Sequence, residues 1–428
     1  MSGSRAGLES PSRAYANWVL FLLLLAYILN FVDRQVLAIV GLDVKAEMGL
    51  SDTQLGLLLG PYFALSFTLA GFVIARIADV GSRRNVLAVG LAAWSLFTAA
   101  CGLARGFTQL ATLRFAVAIG EAAGTPPSHS LISDYFPPAR RATAMSIYGL
   151  GIYFGTGFGF AGGGMLLEWF DWRTAFLIAG LAGLPVALLI LLTVREPVRG
   201  AGAPVQAPPS VWRMLPEVFA TRAFRWLMVA AACQAFLGYV VLSWGAIYLR
   251  RVFDMSGAEA GVAFGGIAAV AGGIGALGGG VLADRLAQRD PRWYTRISAA
   301  VSLAAFPFAV VFVMADDRAT ALLAFAPFYL LNNTYLGSLW TLVQGLVAPN
   351  LRATASATQL AVTNLVGYGV GPALVGLSND ALAPRFGDEA IRWSLLGAAV
   401  VGAASALFFW LCGRTLREDL EPVRSAER

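Results

Sequence analysis

The sequence predicts an all-α membrane protein with twelve transmembrane helices in two pseudo-symmetric six-helix bundles. Three observations predict this fold: the apolar composition, a series of apolar stretches, and an internal repeat. Of the 428 residues, 58% are hydrophobic and 13% are charged, and the mean hydropathy is +0.68. Soluble globular chains carry roughly 25% charged residues, and disordered chains combine high charge with few apolar residues. The composition is therefore typical of a multi-pass membrane protein.

The apolar stretches give the number of spans. A transmembrane helix needs about 20 predominantly apolar residues, and twelve stretches reach that length. The predicted spans are 17–40, 54–77, 85–104, 108–135, 142–168, 173–194, 225–249, 258–282, 294–315, 319–346, 354–379 and 391–413.

A stretch rich in Pro, Gly and Arg separates the sixth span from the seventh and is typical of a linker. The first 16 residues are polar, and the apolar stretch after them is too long for a signal peptide, so we expect it to be retained as the first span. The predicted parts are a cytoplasmic N-terminal segment (1–16), an N-terminal bundle (17–194), a cytoplasmic linker (195–222), a C-terminal bundle (223–414) and a cytoplasmic tail (415–428).

The distribution of basic residues predicts the orientation. Most of the 31 basic residues lie in loops on the face that carries both termini, and the positive-inside rule then places both termini in the cytoplasm. We expect the protein in the inner (plasma) membrane. The net charge of +6 does not indicate a nucleic-acid partner, because no basic face accumulates.

An internal repeat relates the two bundles. The string Arg-Ala-Thr-Ala begins at Arg141 and again at Arg352, 211 positions later. Three glycines that begin at Gly155 recur at an offset of 212, beginning at Gly367. In membrane proteins such a repeat is typical of an alternating-access carrier whose substrate site lies near the bilayer midplane, between the halves.

Two of the repeated strings resemble a known family. "ARIADVGSRR" (75–84) and "GGVLADRLAQR" (279–289) each place an aspartate and arginines after a span, and they resemble the signature loop of the major facilitator superfamily. "NFVDR" (30–34) and "RFAVAIGEAAGTPPSHSLISDYF" (114–136) resemble the spinster family of lipid and sphingolipid carriers. The resemblance extends from about residue 15 to residue 414. The asparagine-to-arginine string and the Arg–Glu spacing are also similar to those of organic anion:proton symporters.

Four ionisable residues lie within apolar spans: Asp33, Arg34, Arg114 and Glu121. Each costs roughly 2.5–3.5 kcal/mol at a helix centre on insertion scales, so such residues face a cavity or each other. Seven residues at about 100° each bring Arg114 and Glu121 onto one helix face, two turns apart.

Two interpretations of this quartet remain open. One is a static ion pair, Asp33–Arg114 or Arg114–Glu121, that joins the first and fourth spans. The other is a proton switch, because a carboxylate holds its proton weakly beside a cation and strongly in a dry cavity. Asp33 is then the first candidate for the titrating group and Glu121 the second, with Arg114 as their partner. The family resemblance implies proton coupling at these positions.

The remaining candidates concern the substrate. Arg34 either anchors an anion bidentately or extends toward the membrane interface. The repeat places Phe325 and Asn332 opposite Arg114 and Glu121, which predicts that the C-terminal half reads the shape of the substrate. The candidate substrate-binding residues are Tyr27, Asn30, Arg34, Gln234, Trp244, Asn332, Asn333, Asn364 and Tyr368, with Tyr239, Ser243, Tyr335 and Trp340 as further lining candidates.

Charged residues in the cytoplasmic loops are candidates for a gate. Asp79 and Asp284 can accept hydrogen bonds from helix N-termini, and nearby arginines can pair with them; the alternative is that the arginines only set topology. The resemblance implies that this network stabilises the state closed to the cytoplasm. The predicted gate residues are Asp79, Arg83, Arg84, Arg141, Asp284, Arg285 and Arg352.

The sequence shows no sign of an enzyme, a resident cofactor or a metal site. It contains no Walker string, its three cysteines lie far apart, and His129, the only histidine, lacks partners for catalysis or metal binding. We expect a monomeric, proton-driven transporter in the lipid bilayer that carries a lysolipid or sphingoid-like amphiphile. The alternative is a proton symporter of a small organic anion. A lateral opening and an apolar wall of the cavity in the C-terminal half would favour the amphiphile carrier. A small closed cavity centred on Arg34 or Arg114 would favour the anion symporter.

Overall fold

The fold was obtained as a computed structural model, which describes residues 12–197 and 211–427. Within these ranges the regular structure is helical throughout. The predicted N-terminal segment, linker and tail therefore lie partly outside the described residues, at 1–11, 198–210 and 428.

The first range contains ten helices. They are α1 (Arg13–Met48), α2 (Asp52–Leu59), α3 (Pro61–Val80), α4 (Arg83–Cys101), α5 (Phe107–Glu121), α6 (Thr125–Tyr135), α7 (Pro138–Gly149), α8 (Gly151–Trp169), α9 (Trp172–Leu181) and α10 (Gly183–Thr193).

The second range contains nine α-helices, two short 3₁₀ turns (Pro349–Leu351 and Gly387–Glu389) and a π-helix (Thr363–Val370). The α-helices are α11 (Val211–Val218), α12 (Arg222–Phe253), α13 (Gly257–Ala287), α14 (Trp293–Met314), α15 (Arg318–Asn333), α16 (Tyr335–Gly345), α17 (Arg352–Val362), α18 (Gly371–Phe386) and α19 (Ala390–Glu427).

Apart from α11, these elements form twelve consecutive helical rods, each either one helix or a run of helices joined end to end. The fourth rod is α5 with α6, the tenth is α15 with α16, and the eleventh is α17, the π-helix and α18. The twelve rods correspond to the twelve predicted spans, which confirms the predicted fold class. Several rods are broken. In the fourth rod, Pro126 and Pro127 have no N–H to donate to the carbonyls of Ala122 and Ala123, so the chain turns between α5 and α6. Among the described residues, nine stretches are long and apolar enough to cross a membrane; the fourth and tenth rods fall outside this set, and the last two rods are joined in one stretch.

The rods define two faces of the molecule. We call the face at which α1 begins and α19 ends the terminal face, and the opposite face the distal face. The two halves meet most extensively along two seams, α2 against α18 and α8 against α13, and also where α3 packs on the π-helix and α1 on α12.

Glycines allow close approach in both seams. A Cβ on Gly164 would lie 2.1 Å from the carbonyl oxygen of Gly257, and a Cβ on Gly376 would lie 2.2 Å from that of Asp52. Only a residue without a side chain permits this backbone contact. These contacts bring the halves together on the distal side of the molecule.

Toward the terminal face, the segments that continue the seams pack within their own halves. Helix α7 packs on α1 and α6, and α17 packs on α11, α12 and α16. The halves are therefore joined at the distal face and diverge toward the terminal face.

Candidate functional site

The four ionisable residues predicted to lie within the membrane lie together between the first and fourth rods, where three are buried and Arg34 is partly buried. Asp33 and Arg34 lie near the middle of α1, a helix of 36 residues. Asp33, Arg114 and Glu121 are each 1% exposed. Asp33 is close enough to interact electrostatically with Arg34, Arg114 and Glu121. The structure thus gathers the quartet in one site.

The ion pair within this site joins Arg34 to Glu121. Arg34 Nε donates to Glu121 Oε2 at 2.8 Å. The Arg34 guanidinium lies 5.0 Å from the ring centroid of Phe31 and 4.9 Å from those of Phe63 and Phe67, within cation–π range. Arg34 therefore faces the interior of the protein in this conformation.

Asp33 and Arg114 are less completely satisfied. Thr98 Oγ1 donates to Asp33 Oδ2 at 3.2 Å, and Asp33 Oδ1 has no hydrogen-bond partner among the described residues. The same is true of Glu121 Oε1 and of all three guanidinium nitrogens of Arg114. The guanidinium of Arg114 lies 5.2 Å from the ring of Phe63. The two static pairs considered from the sequence are thus not formed in this conformation.

Local sequence explains how these groups meet. Arg114 and Glu121 share one face of α5, and Glu121 is its last residue before the break caused by the two prolines. The amide nitrogen of Asn30 lies 3.8 Å from the position of a Cβ on Gly124, so this predicted substrate-binding residue faces the break. The kink therefore places the carboxylate of Glu121 against α1 in the interior of the bundle.

The C-terminal counterpart of this site is neutral. Asn332, which the repeat aligns with Glu121, is 3% exposed near the break between α15 and α16. Phe325, aligned with Arg114, stacks on Phe264 with ring centroids 4.6 Å apart. The aromatic character predicted from the repeat is thus present beside the charged half.

Several predicted substrate-binding residues lie near the quartet. Tyr239 hydrogen-bonds Asn364 Oδ1 at 3.4 Å and packs on Tyr368 with ring centroids 4.9 Å apart. Tyr368 in turn contacts Phe63, the ring shared by both buried arginines. A cavity of about 20 Å³ is lined by Arg34, Tyr239 and Tyr368, among others, and this volume suits about one water molecule. Ser243 lines the same cavity.

Tyr27 belongs to an aromatic stack on the N-terminal side. Its ring lies 4.3 Å from that of Tyr148, with an interplanar angle of 9°. His129 meets Tyr148 edge-on at 5.4 Å. The only histidine therefore makes an aromatic contact.

Other candidates form hydrogen bonds between helices or within one helix in this conformation. Ser405 Oγ donates to Gln234 Oε1 at 3.0 Å, and Trp244 Nε1 donates to the carbonyl of Pro372 at 3.0 Å. Asn333 Nδ2 donates to the carbonyl of Tyr329 at 2.8 Å, one helical turn earlier. Tyr335 is 6% exposed and Trp340 is 52% exposed.

The hydrogen bonds and ion pairs recorded for the predicted gate residues, within the ranges 12–197 and 211–427, lie on the same side of the linker as each residue. Arg83 pairs with Asp134 and with Glu196, at 2.5 and 2.9 Å. Tyr294 OH donates to Asp284 Oδ1 at 2.9 Å. Arg84 donates to Asn85, Arg141 to the Ser133 carbonyl and Arg352 to the Gln344 carbonyl, while Asp79 and Arg285 are exposed.

An apolar groove lies on the outside of the C-terminal half. Its volume is about 320 Å³, and it is lined by α12, α19 and the segment where α17 passes into the π-helix. Its walls include Met228, Cys233, Val362, Val366 and Val401. The π-helix thus contributes Val366 to this groove, and it also carries Asn364 and Tyr368, which lie toward the centre of the molecule.

A charged cluster at the distal face, formed by Lys45, Asp52, Arg251 and Asp380, is not among the predicted site residues. The sequence signal for it is the repeat itself. The offset of 212 that aligns the glycine runs also aligns Glu168 with Asp380, which marks an acidic residue at the same point of both halves.

Comparisons with known proteins agree with this architecture. The family model of the Major Facilitator Superfamily matches residues 23–372. An MFS-type efflux pump of Mycolicibacterium smegmatis is 34% identical over 415 residues, which cover 96% of this chain and 95% of that protein. Protein spinster homolog 1 of Rattus norvegicus is 27% identical over 428 residues, covering 93% of this chain and 80% of that protein.

One solved structure is also closely similar. It is the crystal structure of a bacterial homologue of the human lysosomal transporter Spinster, in an inward-facing and unoccupied conformation. The TM-score is 0.86 at 31% sequence identity, and the match covers 96% of this chain and 99% of that one.

Proposed function

The chain belongs to the major facilitator superfamily and is a membrane-spanning transporter of the spinster type, and from this premise we propose that it is a proton-coupled secondary active transporter that works by alternating access. The observation that carries proton coupling is the buried quartet, in which two acids and two arginines form only one ion pair. Burying charge is costly unless it is paired, so an incompletely paired set favours a role that requires its partners to change.

Partner exchange supplies the coupling. In this conformation Glu121 is held by Arg34, and the Thr98 hydroxyl is the one hydrogen-bond donor to Asp33 in the part of the chain that the structure describes. Proton binding to Asp33 removes its negative charge and with it the electrostatic attraction between Asp33 and Arg114, which favours a turn of Arg114 toward Glu121. Rocking of the halves then alters these contacts, and proton affinity becomes coupled to which face is open.

We place the terminal face in the cytoplasm, with the protein in the inner membrane and both termini cytoplasmic, because most arginines lie on that face. The conformation described here is then closed on the external side. In the opposite state the predicted gate residues would meet across the halves at the cytoplasmic end.

For the substrate we propose a lipid-like amphiphile, such as a lysolipid or a sphingoid-like molecule. The apolar groove of about 320 Å³ opens sideways in the membrane-spanning part of the C-terminal half, where it is accessible to an acyl chain. The aromatic cluster around Phe325 extends the apolar character of this half. The charged half would then receive the polar headgroup.

Two observations favour a second candidate, a proton symporter of a small organic anion. Arg34 lines the small cavity between the halves, and Arg114 is buried without a hydrogen-bond acceptor among the described residues. Either guanidinium could bind a carboxylate bidentately.

Reconstitution tests the proposal. The purified protein is placed in liposomes with a pH-sensitive dye inside, and transport of a fluorescent lysolipid is measured with and without an imposed pH gradient. We expect the gradient to drive accumulation, and lysolipid addition to cause proton movement. Transport that neither responds to the gradient nor moves protons would contradict proton coupling. Proton movement on addition of small carboxylates but not lysolipid would favour the anion symporter.

A further inference from the structure

The two seams between the halves are related by the internal repeat. Gly164 of α8 and Gly376 of α18 lie 212 positions apart, and so do Glu168 and Asp380. Each acidic residue faces the start of a helix in the other half, α13 for Glu168 and α2 for Asp380.

The two facing helices also begin alike. Helix α2 starts with a capping box formed by Ser51 and Gln54, and α13 starts with one formed by Ser256 and Glu259. The repeat thus supplies two matched points of contact at the distal face.

The α2/α18 seam contains a buried charge cluster centred on Asp52, which is 3% exposed. Arg251 binds this carboxylate through both terminal nitrogens, at 2.5 and 2.8 Å, and Asn379 Nδ2 donates to Oδ2 at 3.0 Å. Lys45 forms an ion pair with the same carboxylate. Arg251 and Asn379 come from the C-terminal half, and Lys45 comes from the N-terminal half.

Asp380 adds a second cross-half contact at the same place. Its carboxylate accepts from the backbone N–H groups of Asp52, at 3.0 Å, and of Thr53, at 2.7 Å. The first amides of a helix lack partners within the helix. The C-terminal half therefore supplies the cap that satisfies the start of α2, and the positive end of the helix dipole favours this carboxylate.

The α8/α13 seam has no comparable cluster among the described residues. Glu168 is exposed and accepts from Ser256 Oγ at 3.1 Å. The first residue of α13 is Gly257, whereas the first residue of α2 is Asp52, so α13 has no carboxylate at this position. Close backbone approach at glycines and packing of Phe160 on Phe264 form this seam.

We propose that the ion pairs and hydrogen bonds of Asp52 stabilise the closed state of the distal face, and that Asp380 of the other half caps the start of α2. We call this set of contacts, present in one of the two seams, the Asp52 clasp; its residues are Lys45, Asp52, Arg251, Asn379 and Asp380. The inference rests on the proposed alternating access. When the distal face opens, Arg251, Asn379 and Asp380 depart with the C-terminal half. Lys45 stays beside Asp52, so the carboxylate keeps one cation in the open state.

A third distal contact is weaker by the same criteria. Arg250 pairs with Asp43 at 2.7 Å across the halves, but the Asp43 side chain is 32% exposed. Partly exposed ion pairs contribute little free energy, whereas removing one partner of a buried pair is strongly destabilising. The clasp therefore depends on Asp52 more than on Asp43.

Distance measurements between spin labels test this inference on the full-length protein in lipid nanodiscs. One label pair at the distal face uses Thr108→Cys and Ala319→Cys, and one at the terminal face uses Ala139→Cys and Asn350→Cys, in a background without the native cysteines. All four positions are exposed, and each pair is related by the repeat offset of 211.

We expect Asp52→Asn to raise the ratio of distal-open to distal-closed molecules by about tenfold or more. Asp380→Asn, which retains an oxygen acceptor, should shift the ratio in the same direction by less. The repeat-matched control Glu168→Gln should change the ratio by less than about twofold. Thermal melting and gel filtration exclude misfolded variants, and Arg251→Gln replaces Asp52→Asn if that variant fails to fold.

Two results would overturn the clasp: an unchanged ratio in the Asp52 or Arg251 variant, or an equal shift in the Glu168 variant. Failure of the proposed function has a different signature. If the unsubstituted label pairs show a single distance at both faces under every substrate and pH condition, alternating access itself is refuted.

Discussion

Arg34 Nε lies 2.8 Å from Glu121 Oε2, whereas Arg114, seven residues before Glu121 on the same helix, has no hydrogen-bond acceptor among the described residues. Both arginines lie against one ring, that of Phe63. The alternative partner of Glu121 is therefore already present beside the existing ion pair. A small movement of α1 relative to α5 would exchange one guanidinium for the other.

A double-mutant cycle tests which ion pair exists in the closed-distal state. Glu121→Gln should lower the free energy of unfolding by about 1–3 kcal/mol, because it removes the ionic partner of the partly buried Arg34. The coupling energy between Arg34→Gln and Glu121→Gln should exceed that between Arg114→Gln and Glu121→Gln. Denaturation in detergent at fixed pH gives both values. A larger coupling for Arg114 would show that the pair seen here is not the dominant one.

Asp33→Asn should abolish gradient-driven accumulation in liposomes while leaving substrate exchange or binding measurable. The substitution keeps the shape of the side chain but removes its ability to exchange a proton. Asp316→Asn, at an exposed position of the distal face, is the control and should accumulate substrate normally. Normal accumulation by the Asp33 variant would eliminate this residue as the coupling site.

The sequence predicted the rods and the shared location of the quartet, but not its pairing. Helical spacing alone places Arg114 and Glu121 on one face. The choice of Arg34 as partner depends on how α3 brings Phe63 and Phe67 against α1, which no local pattern encodes. Trp244 illustrates the same limit, since its indole N–H is directed to the Pro372 carbonyl only because α12 and α18 are adjacent.

The Asp52 clasp was not predicted from the sequence, because it also depends on contacts between distant parts of the chain. Asp52, Arg251 and Asp380 are far apart in the sequence and meet only when the halves dock. Each resembles an ordinary loop or helix-end charge when taken alone.

The terminal-face cluster around Glu196 should make stability depend on pH. Partial burial raises the pKa of Glu196, but the backbone N–H of Arg84 and the side chains of Arg83 and Ser82 lower it more, so the net pKa is below its usual value. A lowered folded-state pKa gives stability that is present above the unfolded-state value, about 4.3, and is lost as the pH falls through the folded-state pKa.

The melting temperature of Glu196→Gln, measured against the unsubstituted protein from pH 7 to pH 3, checks this dependence. The variant should melt lower at pH 7, and the difference should shrink below about pH 4.3. Carboxylates that are distant from Arg83 have the same surroundings in both proteins and cancel in the comparison, whereas Asp134 shares Arg83 with Glu196. A difference that stays constant over this range would contradict the assigned role.

The apolar groove gives a test of substrate class. Val366→Trp should fill part of the 320 Å³ space and reduce lysolipid transport, with little effect if the substrate is a small anion. Val270→Trp, at a position 62% exposed on α13, adds the same side chain away from the groove and serves as the control. Initial transport rates in liposomes distinguish the two cases. Equal rates for both variants would count against an acyl chain in the groove.

Glycine packing in the α8/α13 seam gives a matched pair of variants on one helix. A Cβ on Gly164 would lie 2.1 Å from the carbonyl oxygen of Gly257, whereas a Cβ on Gly162 meets nothing within 4 Å. In a helix interior, alanine is more favourable than glycine by up to about 1 kcal/mol, so the helix is intrinsically more stable in both variants. Only Gly164→Ala also pushes the seam apart.

We therefore expect Gly164→Ala to lower the population of the distal-closed state and Gly162→Ala to leave it unchanged, as measured with the distal label pair. The backbone oxygen of Gly257 cannot rotate away as a flexible side chain could, so the clash must separate α8 from α13. Equal distances in the two glycine variants would mean that the seam relaxes without moving the halves.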